Sequence, residues 1–342
     1  MSEFWNRVIA KTPLTAQTTV EQLIVLAIKQ TDPNPCVLAP IDNRTVLSIT
    51  GPDSAKFMQG QFTCNLQEIT DTQFRLGACC NAKGRMIANF TIGKHSDGFL
   101  MAIDKSLAEQ LQAHLKKYKV FFKTEFQASN YVMAGIKGAN ASALLTNILG
   151  GCPTEDFGQY SFKQGIVTQL PYNAGYEVWL MPDSAEQIIE QLLSKALFAD
   201  SQYWPLNLIS NGLGQLTLEN TEAHIPQMLN LALIGGISFN KGCYTGQEIV
   251  ARMQYLGKSK RNMYLITVEG ETPVGGEIFT ADSKSAVGVI INAVTLGLTT
   301  TALAVIENKH IETPLFIPSN LGNSVELLSL PYNPKYHSQD KD

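Results

Sequence analysis

Charge is scarce in this chain. Of its 342 residues only 16% are Asp, Glu, Lys or Arg, below the ~25% of an average soluble domain. Hydrophobic residues reach 44%, which excludes a disordered or tail-like protein and leaves enough apolar side chain for a large core. The net charge of −4 excludes a generally basic nucleic-acid binder, so any polyanion contact must come from a local patch. Six cysteines (Cys36, Cys64, Cys79, Cys80, Cys152 and Cys243) are too few for a disulfide scaffold in a chain this long. None sits in C-x-x-C spacing, which argues against a structural zinc site. His95, His114, His224, His310 and His337 are scattered without ligand spacing, and surface or hydrogen-bonded core roles are the simpler reading. The chain has no G-x-x-x-x-G-K-[ST], no complete G-x-G-x-x-G after a strand, no H-E-x-x-H and no G-x-S-x-G. Long apolar runs are missing too. Residues 23–28 are the longest such run near the N-terminus, too short for a signal core or a membrane span. Glu3 and a lone early Arg7 do not make a transit segment, so the expectation is a cytoplasmic protein with reduced thiols.

The length predicts two or three domains at ~150 residues each. The pattern predicts a helix over 19–30, ended by Asp32-Pro33-Asn34-Pro35, and a strand over 46–49 turned by Gly51-Pro52-Asp53. A helix over 54–61 follows, capped by Asp53. Residues 74–92 read as two strands around the turn Asn81-Ala82-Lys83-Gly84, and 107–115 as an amphipathic helix. A second α+β lobe is expected at about 130–200, with a strand over 176–181 and a helix over 185–196. Residues 204–237 read as loop-rich. Short strands over 263–268, 277–279, 287–291 and 301–305 alternate with Gly and Pro turns, which predicts a small barrel or sandwich. The expected organisation is therefore a two-lobed α+β region over 1–255, a β-barrel over 258–330 and a polar tail over 331–342.

One run carries chemistry: Phe239-Asn240-Lys241-Gly242-Cys243-Tyr244-Thr245-Gly246-Gln247-Glu248-Ile249-Val250-Ala251-Arg252. Gly242 and Gly246 bracket Cys243 in a tight loop, and a helix is expected over 247–253. A cysteine near a helix N-terminus, two residues from Lys241, is placed to form a thiolate. The same N-terminus, with Lys241 and Arg252 near it, suits a carboxylate or phosphate. The alternative is that Cys243 is a small core residue in a turn. The vicinal pair Cys79-Cys80 lies in a strand, where two buried small residues is the simpler account.

The segment K-G-C-Y-T-G-Q-E followed by V-A-R resembles the signature of the YgfZ family, folate-binding, tRNA-modification-linked relatives of the glycine-cleavage T protein. Gly51-Pro52-Asp53-Ser54, Phe57 to Thr63, Asn81 to Met86, Leu115-Lys116-Lys117-Tyr118, Ser201 to Trp204, Ile225-Pro226-Gln227 and Gly235 to Phe239 fit that family in order and spacing. The resemblance implies an α+β, T-protein-like ring of modules around a central folate pocket, with a small C-terminal β-barrel. It implies tetrahydrofolate or a derivative as cofactor, with Trp204 at the pocket wall, although the residue alone reads as a core aromatic. A second tryptophan of the family is replaced here by Arg44, which can stack on a ring or pair with a folate carboxylate. Cys243 would be the functional thiol, and Lys241, Gly242, Tyr244, Gly246, Gln247, Glu248 and Arg252 would shape its loop.

Two departures bear on mechanism. The T protein follows its Asn81–Gly84-like turn with a pair of aspartates, whereas this chain reads Met86-Ile87-Ala88-Asn89, and an amide serves neither as base nor as counter-charge. Ser210-Asn211-Gly212 stands where relatives carry Glu-Ala-Gly, which takes a carboxylate away from the pterin edge. The resemblance therefore implies an accessory protein supporting tRNA modification and iron–sulfur enzymes or their assembly factors. Direct contact with tRNA is left open and no membrane is expected. A folate-dependent aminomethyl-type transferase and a scaffold with a decayed folate site are the alternatives. Two local basic patches remain. Residues 241–261 hold Lys241, Arg252, Lys258, Lys260 and Arg261 against Glu248, and residues 104–123 hold Lys105, Lys116, Lys117, Lys119 and Lys123 against Asp104 and Glu109. For Lys116 to Lys123 a solvated helix face is the plainer reading.

Overall fold

A computed structural model describes residues 2–12, 17–19, 22, 35–96, 98–255, 259–318 and 323–334. The helix expected over 19–30 falls, apart from Thr19 and Gln22, outside the described residues, as do Lys258 and His337. Helix α1 (Glu3–Lys11) precedes strands β1 (Gln17–Thr18), β2 (Val37–Pro40) and β3 (Arg44–Thr50). Helix α2 (Ser54–Gln59) leads to β4 (Arg75–Cys80), β5 (Met86–His95), β6 (Gly98–Asp104), α3 (Ala108–Lys116), β7 (Glu125–Ser129) and β8 (Val132–Lys137). Then come α4 (Ala141–Leu149), β9 (Gln159–Phe162), β10 (Gly165–Gln169), β11 (Tyr176–Leu180), α5 (Pro182–Leu193), β12 (Leu197–Ala199), α6 (Tyr203–Ser210) and α7 (Gln247–Tyr255). Strands β13 (Arg261–Glu269), β14 (Glu277–Thr280), β15 (Gly288–Leu296), β16 (Thr299–Glu307), β17 (Leu315–Ile317) and β18 (Asn323–Leu328) complete the chain.

These strands form three modules. A five-stranded sheet runs β4-β5-β6-β3-β7, a seven-stranded sheet runs β1-β12-β2-β8-β11-β10-β9, and β13 to β18 close into a barrel. The seven-stranded sheet takes in β1 and β2 from ahead of the first lobe, and β12 pairs with both in parallel. Period-2 alternation decides what each sheet offers to its neighbours. Along β11, Val178 and Leu180 join the outer core with Trp5, Leu145 and Ile189 of the flanking helices. Trp179 turns the other way and packs with Val46, Leu100 and Ala102 of the five-stranded sheet. The far side of that sheet buries Phe57, Met58 and Leu111 in a core continuous with Met263, Leu303 and Val305 of the barrel. The centre of the molecule is thus where two sheet faces meet.

Three local differences from the sequence pattern have simple causes. The helix expected from 185 begins at Pro182, whose fixed φ suits a first helical turn. Residues 204–237 contain α6, with Pro205 tolerated inside its first turn, and a short 3-10 turn at Pro226–Leu229. Asp53 stands at the N-cap of α2 but makes no capping bond; its carboxylate accepts instead from the Lys123 backbone N–H at 2.8 Å.

Candidate functional site

Alternation on three strands aims polar side chains into the centre. Arg44 opens β3 on the same side as Val46, Asn89 and Thr91 lie on β5, and Glu177 lies on β11 beside Trp179. Arg44 and Glu177 are 4% and 0% exposed, so neither charge would be tolerable alone. They pair, with Arg44 Nη1 donating to Glu177 Oε1 at 2.7 Å. Nη2 donates to Thr91 Oγ1 at 3.1 Å and to the Ala102 carbonyl at 3.0 Å. The indole N–H of Trp204 donates to Glu177 Oε1 at 3.2 Å, and that of Trp179 to Oε2 at 3.3 Å. Arg44 Nε is buried without a partner. The structure therefore brings Arg44 and Trp204 together through a third residue that the sequence pattern did not single out. A lone acid inside the apolar strand Tyr176-Glu177-Val178-Trp179-Leu180 was the signal available.

The space left around this cluster is small. A cavity of ≈ 20 Å³ is bordered by Arg44, Glu177, Asn89 and Thr91, room for about one water. Asn89 holds its wall by donating to the Gly214 carbonyl at 2.7 Å and accepting from the Leu216 N–H at 2.8 Å. A whole folate does not fit there, since ligand pockets are typically ~300–1,000 Å³. Beside it lies a second cavity of ≈ 180 Å³, bordered by Trp204, Asp104, Asn43, Gln215, Asn292 and Val274. Trp204 is 1% exposed, and its ring lies on Gly135, where an added Cβ would come within 2.1 Å of the indole. Asp104 is also buried. Its Oδ1 accepts from the Ser106 N–H at 2.9 Å and hydroxyl at 2.5 Å, and the residue borders the cavity. A flat ring with adjacent N–H donors, as in the aminopyrimidine edge of a pterin, meets that carboxylate well, and the residues present fit such a head group. Ser210 brings no carboxylate to this region, and Asp104 supplies one.

The cysteine loop sits elsewhere, on α2 and the β4–β5 turn. Cys243 is exposed and the thiols of Cys64, Cys79 and Cys80 are buried. Burial pushes Cys64 and Cys80 up to about 12 and Cys79 well above its usual range, which keeps all three protonated. Lys241 turns inward: its Nζ donates to the carbonyls of Gln59, Phe62 and Cys64 at 2.8, 2.6 and 2.8 Å. Nζ also lies 5.1 Å from the Tyr244 ring centre. Burial lowers the Lys241 ammonium to about 8, while three carbonyls that only an ammonium can serve together oppose that fall. Gln247 opens α7; its side chain accepts from the Tyr244 N–H at 3.2 Å and its own N–H donates to the Tyr244 carbonyl at 3.1 Å, which ties the loop to the helix start. Gly246 has φ +84 and leaves no room for a side chain, since a Cβ would lie 2.4 Å from the Asn81 carbonyl and 3.1 Å from Gly84 Cα. Glycine against glycine is how the two motif segments touch. Gly242 faces open space. Glu248 and Arg252 lie on α7, with Arg252 exposed.

The β4–β5 turn is anchored by residues 222–224. Met86 N–H donates to the His224 carbonyl at 2.8 Å, and Glu222 N–H to the Met86 carbonyl at 2.7 Å. Burial first, then Arg85 and Arg261, lower the His224 imidazole to about 4. The folded protein keeps it neutral while the unfolded chain protonates it below about 6.5. The contribution of His224 to stability is therefore fully present above about pH 6.5 and is lost, by about 3 kcal/mol, as pH falls from there through 4. Urea unfolding of wild type and His224→Gln between pH 4 and 7 should show that slope largely removed in the variant. Equal slopes in the two proteins would reject His224 as its source.

Among the described residues no trio of His, Cys, Asp or Glu is placed to hold a metal ion, and no helix is long and apolar enough to cross a membrane. Residues 36–198 match the GCVT N-terminal domain family. Over 308 residues the chain is 33% identical to the tRNA-modifying protein YgfZ of Escherichia coli O157:H7 (strain EC4115 / EHEC), covering 87% of this chain and 94% of that one. The tRNA-modifying protein YgfZ of Shigella boydii serotype 4 (strain Sb227) is 32% identical over the same shares. Among solved structures, glycine cleavage system aminomethyltransferase T from Bartonella henselae superposes with a TM-score of 0.71. That superposition covers 92% of this chain and 90% of that one at 16% identity, so the likeness is one of fold.

Proposed function

The chain belongs to the YgfZ family, and from that premise we propose that it is a folate-binding accessory protein of tRNA modification, without transferase turnover. The GCVT fold family is folate-binding in general. The observation that carries the reading here is the buried Asp104 carboxylate, one oxygen tied to Ser106, bordering the Trp204 cavity. Tetrahydrofolate bound there would supply a one-carbon carrier; Asp104 and Trp204 would hold its pterin, and its tail would run outward. Asn89 stands where the transferases' acidic pair would be needed, with its amide committed to the Gly214–Leu216 backbone, so no general base faces the site from β5. Cys243 is the functional thiol of the reading, offered to a partner among iron–sulfur tRNA-modifying enzymes or assembly factors in the cytoplasm. A lone thiolate holds no cluster, which normally takes four ligands, so the remaining ligands would belong to the partner.

The test is tetrahydrofolate titration under reducing conditions, read as the thermal midpoint of wild type, Asp104→Asn and Trp204→Phe. At a hundredfold excess over Kd, wild type should gain about 2.7 kcal/mol. Asp104→Asn keeps an oxygen for Ser106 but loses the charge that a pterin edge pairs with, and should need about tenfold more ligand or greater. No gain in wild type would remove the folate reading. Equal gains in wild type and Asp104→Asn would move the ligand away from Asp104.

A further inference from the structure

Helix α3 ends at Lys116, and the chain then forms a protruding tip before β7. Lys116 to Lys123 is therefore not the solvated helix face that the sequence suggests. Val120 is 74% exposed, Phe121 94% and Tyr118 41%. A phenylalanine left almost wholly in water contributes no burial energy to the fold, and here it stands beside two further exposed apolar side chains, Tyr118 and Val120. Its neighbour explains the geometry. Phe122 is the anchor, half-buried and packed against the core with its ring 5.3 Å from that of Phe57. The Lys123 N–H is fixed by Asp53, and the Tyr118 ring leans on His114 at 5.1 Å. Phe121 is thereby presented on a fixed tip. Lys119 is engaged by Glu125 and the Thr124 carbonyl. Lys116, Lys117 and Lys123 are exposed, make no ion pair with the described residues and lie in the same short segment as Phe121.

We propose that this tip binds a single-stranded RNA loop, with Phe121 and Tyr118 stacking on unpaired bases and Lys116, Lys117 and Lys123 meeting the phosphates. The inference rests on the tRNA-linked reading above and adds the surface that would touch the RNA. In a chain of net charge −4, such a cluster of unpaired lysines is complementary to a polyanion. Three exposed side chains fall far short of the ~800 Å² per partner of a stable protein interface, and one short tip offers too little apolar surface for lasting membrane anchoring. The position also suits the reading. The tip adjoins the start of α2, whose far end receives Lys241 and Thr245 from the cysteine loop. Those ends are separated by a six-residue helix, about 9 Å, so one bound RNA can span both.

The experiment is fluorescence anisotropy of the full chain with a labelled RNA hairpin carrying a single-stranded loop, and with a blunt RNA duplex of equal length. Wild type should prefer the hairpin. Phe121→Ser, expected to leave the thermal midpoint unchanged because the ring touches little, should weaken hairpin binding about tenfold. The slope of log K against log salt, about −2 for three lysine–phosphate contacts, should approach zero in the Lys116→Gln/Lys117→Gln/Lys123→Gln variant. No hairpin binding by wild type, or equal binding by Phe121→Ser, would overturn the proposal. So would Phe121-dependent pelleting with phosphatidylserine vesicles but no RNA binding. Tetrahydrofolate stabilisation persisting in a protein that ignores the hairpin would sink this proposal and leave the folate reading standing.

Discussion

Replacing Arg44 with Met should destabilise the protein by about 3–5 kcal/mol, because it leaves the Glu177 carboxylate buried without its counter-charge. Glu177 is 0% exposed, and a single water in the space the guanidinium vacates would bring hydrogen bonds but no counter-charge. Adding Glu177→Gln to the first substitution should recover part of the loss. A carboxamide needs no counter-charge and still offers its oxygen to the Trp204 indole that Glu177 Oε1 now binds, while its NH2 loses the bond that Oε2 accepts from the Trp179 indole. The two changes are thus strongly non-additive, as expected of residues in one buried network. Urea unfolding of both single variants and the double variant measures this. If Arg44→Met alone costs under about 1 kcal/mol, the pair is not what holds the two sheets' polar faces together. The same series bears on the ligand. The ion pair fills the centre and leaves ≈ 20 Å³ there, so tetrahydrofolate binding beside Trp204 should survive substitutions at Arg44 that keep the fold.

The second large effect is expected at Lys241. Lys241→Met removes three charge-assisted hydrogen bonds and leaves the carbonyls of Gln59, Phe62 and Cys64 short of a donor. At ~1–3 kcal/mol for each buried unsatisfied group, a loss of about 4 kcal/mol is expected, with the urea midpoint lowered and its slope unchanged. The lysine also tethers the cysteine loop to α2, so the variant should alter the rate at which Cys243 reacts with a disulfide reagent. The protected thiols Cys64, Cys79 and Cys80 serve as internal controls, since they lie buried in the same core. A variant as stable as wild type, with an unchanged thiol rate, would mean that Lys241 is an ornament of the loop and not its post. The functional consequence is that this lysine's position follows from architecture: its charge points into the body, and Cys243 points to solvent.

Much of the molecule was legible from residue patterns. Alternation marked β3, β11 and the barrel strands, the helix start at Gln247 followed from the glycine-rich turn before it, and the signature segments pointed to the fold. Those are short-range properties, fixed by side-chain period and backbone preference within a few residues. Helix α6 was hidden because Pro205 and nearby glycines read as loop, and its tertiary packing overrode that local signal. The partner of Arg44 could not be read either, because Glu177 lies 133 residues away and only the meeting of two sheets brings them together. The same holds for Lys241, whose spacing from Cys243 suggests a charge beside a thiol until three carbonyls draw it inward. It holds too for Asp104, an ordinary strand-end acid until Trp204 closes a cavity against it, and for Phe121, whose exposure depends on Phe122 being the ring that packs against the core. The sequence by itself determined the family, the modules and the loop that carries the thiol. Tertiary structure decided which charges are buried and paired and which face an open site, because burial and pairing depend on neighbours that the chain brings from far away.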